Sequence, residues 1–241
     1  MLILFWGCAR QKSKEEVTAK ELSLEDRKAY VKEAESKVME LSKDSVQLEQ
    51  LSKISLAYMQ LKDSISFRNT NGSLLKKAKE ANAIKILGYS HWDLAIFLQT
   101  HGIMDSAFYN YRKALTNFEQ LPVDSTSQSL RARMLYNMAR VQDSYKDYLG
   151  GEISATAAIK MFDKLEDDYR LYNAYNVLGI LSNGMGNSEK SIESYVKARE
   201  YLKSSSRSNK DELLWQNENN IASVYLNSGK FVKAKLAYTE L

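Results

Sequence analysis

One ladder of small, apolar and aromatic positions recurs along the chain. Leu94 and Ala95 are followed, counting from Ala95, by Leu98 at three residues, Gly102 at seven, Ala107 at twelve, Tyr111 at sixteen and Ala114 at nineteen. Leu178 and Gly179 are followed by Ser182, Gly186, Ser191, Tyr195 and Ala198 at the same offsets, and Ile221 and Ala222 by Tyr225, Gly229, Ala234, Tyr238 and Leu241. Steps of three, four and seven put side chains on one face of a helix. The ladder therefore predicts a first helix whose small residue lets a partner approach closely. A glycine follows where the chain reverses, because it enters the left-handed region without steric cost. A second helix then presents a stripe of its own. One such hairpin cannot bury both of its faces, so the hairpins must stack.

Two further copies are stretched. Met138 and Ala139 open one whose second helix reads Ala158, Phe162 and Leu165, with seven extra residues placed around Gly150 and Gly151. Leu56 and Ala57 open another, with Leu74, Ala78 and Ala81 after a turn containing Asn69, Asn71 and Gly72. The small residues Ala57, Ala95, Ala139, Gly179 and Ala222 are 38, 44, 40 and 43 apart. Upstream, Ser23 followed by Asp26 predicts a capped helix running through about Leu41, with Tyr30, Ala34, Val38 and Leu41 on one stripe. Its expected place is over the open end of the first hairpin.

The spacing from small residue through glycine to Ala and aromatic resembles the tetratricopeptide repeat, whose basic period is about 34 residues. The aromatic that often opens the first helix of that repeat corresponds to His91, Tyr175 and Glu218, so only the middle copy keeps it. The resemblance implies an all-α fold, a right-handed α-solenoid of antiparallel helix hairpins. Arrays lengthened to about 40 residues per unit resemble the sensor and scaffold regions of bacterial signalling proteins, particularly those of the Bacteroidetes and flavobacteria. There they often precede a membrane span and a helix-turn-helix or kinase output. No such output follows in this sequence, and Leu241 falls at the end of a second helix without a polar capping helix after it. The expectation is an array truncated at its C-terminus, the N-terminal part of a longer protein.

Composition agrees with an all-helical reading: 241 residues, 44% hydrophobic and 27% charged, hold ten glycines and a single proline, Pro122. So few breakers leave long stretches free to be helical. The net charge is +4, with both signs interspersed as in KKAKEA from Lys76 to Ala81, so no nucleic-acid partner is expected of this chain. Cys8 is the only cysteine, which excludes an internal disulfide framework and a thiolate metal cluster. Residues Met1 to Gly7 read MLILFWG, and the chain turns polar directly after Cys8. This resembles the end of a bacterial lipoprotein signal and implies Cys8 as the lipid-bearing residue. The usual basic segment before the apolar run is missing and the run is short; a start assigned too far downstream accounts for both. The organisation expected is a signal remnant and polar tether over 1–20, a capping helix over 21–44, and about five hairpins over 45–241. A lipid anchor at Cys8 would be the sole membrane attachment and would place the array in the cell envelope, facing the periplasm. The alternative is a cytoplasmic scaffold with a frayed apolar N-terminus.

Catalytic constellations are not found. His91 and His101 are ten apart and do not meet the i, i+4 spacing of a two-histidine metal site on one helix. The acidic cluster Asp163, Glu166, Asp167 and Asp168 reads as a solvated linker, since it lacks the alternating ligands and central glycine of a calcium loop. No cofactor, metal or enzymatic activity is expected.

Binding is the better reading. In stacked hairpins the first helices line a concave groove, and residues one turn from the packing stripe point into it. These are Tyr89, Trp92, Ile96 and Gln99 in one unit and Arg133, Tyr136, Arg140 and Asp143 in the next. The last two units supply Asn173, Asn176 and Ile180, then Gln216, Asn219 and Ser223. Amides can pair with a peptide backbone, aromatics offer contact area and arginine suits carboxylates. The expected partner is a protein or peptide, as an extended segment or a helix. The set does not reproduce the Lys and Asn carboxylate clamp of chaperone-binding relatives. Sequence therefore points to a non-enzymatic scaffold, the envelope-facing input region of a bacterial signalling or assembly protein. The alternative is a cytoplasmic scaffold, or the regulatory part of a DNA-binding transcriptional regulator whose output domain lies elsewhere.

Overall fold

The computed structural model describes residues 23–41, 44–203 and 207–239; Cys8, the tether to residue 20 and Leu241 lie outside the described residues. Eleven helices are present among the described residues: α1 (Leu24–Met39), α2 (Asp44–Gln60), α3 (Ser64–Glu80), α4 (Ile84–Thr100), α5 (Met104–Glu119), α6 (Ser125–Ser144), α7 (Tyr148–Lys164), α8 (Asp168–Gly184), α9 (Ser188–Lys203), α10 (Lys210–Asn227) and α11 (Phe231–Thr239). They fall into two compact units, 1–97 and 98–241, with the division inside α4. In the first unit α1 lies on α2 and α2 pairs with α3. In the second, α6 pairs with α7, α8 with α9 and α10 with α11, while α5 packs on α6, α7 on α8 and α9 on α10.

The reversals explain why consecutive helices turn back so tightly. The turns at 61–63, 101–103, 145–147, 185–187 and 228–230 are three residues long, and the middle residue of each is left-handed: Lys62 (φ 58°), Gly102 (75°), Lys146 (61°), Gly186 (76°) and Gly229 (74°). The third residue donates its amide to a carbonyl five residues back, as Asp63 does to Tyr58, Asp147 to Gln142 and Asn187 to Ser182, at 2.9–3.0 Å. That bond closes the end of the first helix. The same third residue caps the next helix where it is Asp or Asn: Asp63 accepts from the Ser66 amide, Asp147 from Gly150 and Asn187 from Lys190, each at 3.1 Å. One residue thus ends a helix and begins another.

These turns correct two sequence expectations. Asn69, Asn71 and Gly72 do not form a turn; they lie inside α3, because the reversal occurs earlier, at Lys62. The small residue of that unit is therefore Ser55, seven before Lys62 and fully buried, and not the half-buried Ala57. Likewise no extra residues are inserted around Gly150 and Gly151, which belong to the first turns of α7. Lys146 takes the left-handed position seven after Ala139, and the ladder continues without a gap through Gly151, Ala155 and Ala158, all buried. A lysine stands in each of these two turns where the other three have glycine, so neither carries the glycine that marks a reversal in the ladder.

Burial follows the ladder. In the first unit Leu48, Leu51, Ile54, Tyr58, Phe67 and Leu74 are buried, and the Phe67 and Phe97 rings meet at 4.8 Å. The second unit centres on Ala139, Ala155, Ala158, Phe162, Leu171, Ala174 and Leu181. Close approach is literal at Gly179, where a Cβ would sit 2.7 Å from the Tyr195 ring. α1 is capped by Ser23, which accepts from the Asp26 amide at 3.1 Å. Of its expected stripe Val38 is buried, whereas Tyr30 and Leu41 are about as exposed as surface residues.

Candidate functional site

The residues singled out on the first helices occupy two separate settings. In the first unit Tyr89 and Trp92 stack on α4 with ring centroids 6.2 Å apart. Trp92 is only 8% exposed, so it serves the core as much as a surface, and Ile96 is half-buried. Asp93, between them in sequence, has its carboxyl pushed up to about 7 by burial.

The second unit holds the rest. Gln99, at the end of α4, accepts a hydrogen bond from the Tyr111 hydroxyl at 2.7 Å. On α6, Arg133 and Tyr136 are half-buried and Arg140 is exposed, with the Arg140 guanidinium carbon 5.8 Å from the centre of the Tyr136 ring. Burial raises the Tyr136 hydroxyl pKa and the Arg140 charge opposes that shift. Arg140 forms no ion pair with a carboxylate among the described residues. Asp143 is half-buried and its pKa is raised by desolvation.

The asparagines are anchored to their own helices. Asn173 donates to the Tyr169 carbonyl at 2.8 Å, Asn176 to Tyr172 at 2.9 Å and Asn219 to Trp215 at 3.1 Å, each four residues back. This fixes each amide and leaves most of its acceptor capacity for another molecule, except at Asn176, whose oxygen takes a 3.0 Å bond from Asn217. Gln216 donates to Glu212 at 3.2 Å, Ser223 lies 3.3 Å from the Tyr238 hydroxyl, and Ile180 is 40% exposed.

The structure thus joins Tyr136 of α6 with Asn173 and Asn176 of α8 around two tyrosines that the ladder does not single out. Tyr169 and Tyr172 stack at 6.2 Å, and both act electrostatically on Tyr136 or are acted on by it. The Arg207 guanidinium lies 3.8 Å from the centre of the Tyr169 ring. Both tyrosines precede the small residue Gly179 by more than one turn, beyond the reach of the repeat signature; the local density of tyrosine in DDYRLYNAY was the available signal. Fixed amides, tyrosine faces and an arginine without a carboxylate partner can recognise a polypeptide surface. Among the described residues no group of three His, Cys, Asp or Glu side chains could hold a metal ion.

No family model matches the sequence, and no curated protein matches it. Solved structures do match. BtubC (BKLC) from P. vanneervenii superposes with a TM-score of 0.76 at 20% identity, over 91% of this chain and 89% of its own. Aspartyl phosphate phosphatase F from Bacillus subtilis gives 0.67 at 19% identity, over 90% of this chain and 66% of that one. A putative kinesin light chain from Podosopora anserina, described as having nearly identical TPR-like repeats, gives 0.58 at 14% identity, over 83% and 94%. At these identities the likeness speaks for the fold. That fold is an all-α solenoid of helix hairpins. Within that class the fold is similar to structures with TPR-like repeats, the resemblance that the ladder of small residue, turn glycine and aromatic implies.

Proposed function

We propose that this protein is a non-enzymatic scaffold that binds a protein or peptide partner along the face shared by α6, α8 and α10. The supporting observation is the cluster of Tyr136, Tyr169, Asn173 and Arg140 over the buried Tyr172, which presents an anchored amide and an exposed guanidinium beside half-buried aromatic rings. Aromatic and arginine side chains of this kind supply most of the energy at protein interfaces. The same reading places the array in the bacterial envelope as the input region of a signalling or assembly protein, tethered by lipid at Cys8. Among the described residues no helix is long and apolar enough to cross a membrane.

A photo-reactive amino acid placed at Arg140, Asn173 or Asn219 in cells tests the binding face. One partner crosslinked from these positions, and not from the exposed Lys160 of α7 or Glu193 of α9, is the expected result. Equal labelling from both sets of positions, or none, would overturn it. The tether is tested separately: Cys8 should incorporate labelled fatty acid, and Cys8→Ser should release the protein from membranes. A wild type recovered in the soluble fraction removes the envelope assignment and leaves the binding face standing.

A further inference from the structure

In the first unit α1 and α3 both pack on α2 and face each other through polar side chains. Lys32, Glu35 and Ser36 of α1 face Ser66, Asn69, Thr70 and Ser73 of α3 across a cavity of about 350 Å³ floored by Leu51 of α2. Both polar sets follow helical spacing, so each is one face of its helix. Glu35 is the centre of the arrangement: the Tyr58 hydroxyl donates to one carboxylate oxygen at 2.8 Å and the Thr70 hydroxyl to the other at 2.6 Å.

Those two bonds hold the carboxylate in place without neutralising it. An ionised carboxylate offers about four acceptor sites, so roughly two remain. Glu35 is half-buried and forms no ion pair among the described residues. The Lys32 ammonium, one turn earlier on the same helix, is exposed and forms no ion pair among the described residues. The Ser36 hydroxyl is turned back to the Lys32 carbonyl at 3.2 Å.

We propose that this cavity binds a small zwitterion of amino-acid size, with its primary ammonium on Glu35 and its carboxylate toward Lys32. The volume lies at the lower end of the range for small-molecule sites, and an ammonium brings three donors to the acceptor sites that Tyr58 and Thr70 leave open. A calcium ion is a poorer occupant, since one carboxylate and a few hydroxyls fall short of the six to eight oxygens it takes. A carboxylate-only ligand would meet Glu35 as a like charge. The site belongs to the first unit and does not depend on the binding face of α6, α8 and α10.

The test uses the whole chain and ligand-observed NMR followed by calorimetry, with each proteinogenic amino acid, methylamine and propionate as probes. At least one amino acid should bind with Kd below about 1 mM, and propionate should not bind. Glu35→Gln should weaken that ligand at least about tenfold. Ser73→Phe, which fills the cavity from an exposed position, should abolish binding while leaving the helical circular dichroism unchanged. Lys32→Ala should weaken the amino acid and leave methylamine unaffected. If Glu35→Gln does not fold, Ser73→Phe decides alone. Absence of binding to the wild type at about 10 mM, or binding that survives Ser73→Phe, overturns the proposal.

Discussion

The buried side-chain amide of Asn217, on α10, donates at 3.0 Å to the backbone carbonyl of Tyr195, on α9, and its other N–H reaches Asn176 of α8 at 3.0 Å. Asn217 stands five residues before the small residue Ala222, and Tyr195 sixteen after Gly179, so the bond joins fixed rungs of successive hairpins. The first unit contains the same joint with its polarity exchanged. There Asn71, sixteen after Ser55, donates to the Ser90 carbonyl at 3.2 Å, five before Ala95. Both asparagines are almost wholly buried. Hydrogen bonding between these rungs thus adds direction to contacts that apolar stacking alone would leave free to slide.

Replacing Asn217 by Ala removes both bonds of this buried amide, the second bond to the Tyr195 carbonyl and the donor to the Asn176 side-chain oxygen, and should cost about 2 kcal/mol. In a repeat array the loss falls first on the neighbouring hairpins. Hydrogen exchange should therefore quicken in α9, α10 and α11 while α6 and α7 keep their protection. Uniform acceleration through the second unit would contradict a local role.

Much of the architecture was legible because the physics that builds it is local. A small residue, a reversal seven residues later and a buried stripe recur within one hairpin, and the three copies that use glycine in the turn were placed in register by sequence. The remaining two were misplaced because Lys62 and Lys146 adopt a conformation that gives no compositional sign. Asn69, Asn71 and Gly72 look like turn residues and nevertheless lie in α3, where Asn71 is committed to the joint with Ser90. The candidate site was legible only in part. Positions such as Asn173 and Arg140 follow from the repeat, whereas the clustering of Tyr136 with Tyr169 and Tyr172 depends on how α8 sits on its neighbours.

The two kinds of turn give opposite mutational signs. A left-handed conformation costs an L residue about 1–2 kcal/mol, and glycine offsets part of that saving through its larger unfolded-state entropy. Gly186→Ala should accordingly lower stability by about 1 kcal/mol, and Lys146→Gly should raise it by about 0.5 kcal/mol. No atom lies within 4 Å of a Cβ at Gly186, so the loss there is conformational and not steric. Denaturant midpoints measured on both variants check the pair; a shift in the same direction for both contradicts this account.

Gly179 and Gly72 separate packing from propensity. At Gly179 an added methyl would stand 2.7 Å from the Tyr195 ring, itself 3% exposed, and Gly179→Ala should cost about 2 kcal/mol. At Gly72, an exposed position inside α3, nothing lies within 4 Å of the added carbon. Gly72→Ala should stabilise the first unit by about 0.5–1 kcal/mol through helix propensity. A destabilising Gly72→Ala would instead indicate the turn that the sequence first implied.

Asp93 gives the first unit a defined pH dependence. Burial alone raises its carboxyl from 3.8 to about 7, with no ion pair among the described residues to oppose the shift. A carboxyl whose folded pKa exceeds its unfolded value holds its proton more tightly when folded, so stability falls as pH rises through the interval between the two values. The favourable state is the protonated one, fully present below about pH 4 and lost by about pH 7 to 8. A shift of this size corresponds to about 4 kcal/mol, and roughly half of that is expected after allowance for the water that still reaches a half-buried group. Asp93→Asn keeps the shape and removes the titration. The variant should match the wild type near pH 4 and exceed it by about 2 kcal/mol near pH 8, because the wild type alone must bury a charge there. The comparison cancels groups common to both proteins, including Asp143, whose pKa is raised in the same direction. Parallel stability curves for the two proteins across this range would show that Asp93 ionises as freely in the folded chain as in the unfolded one.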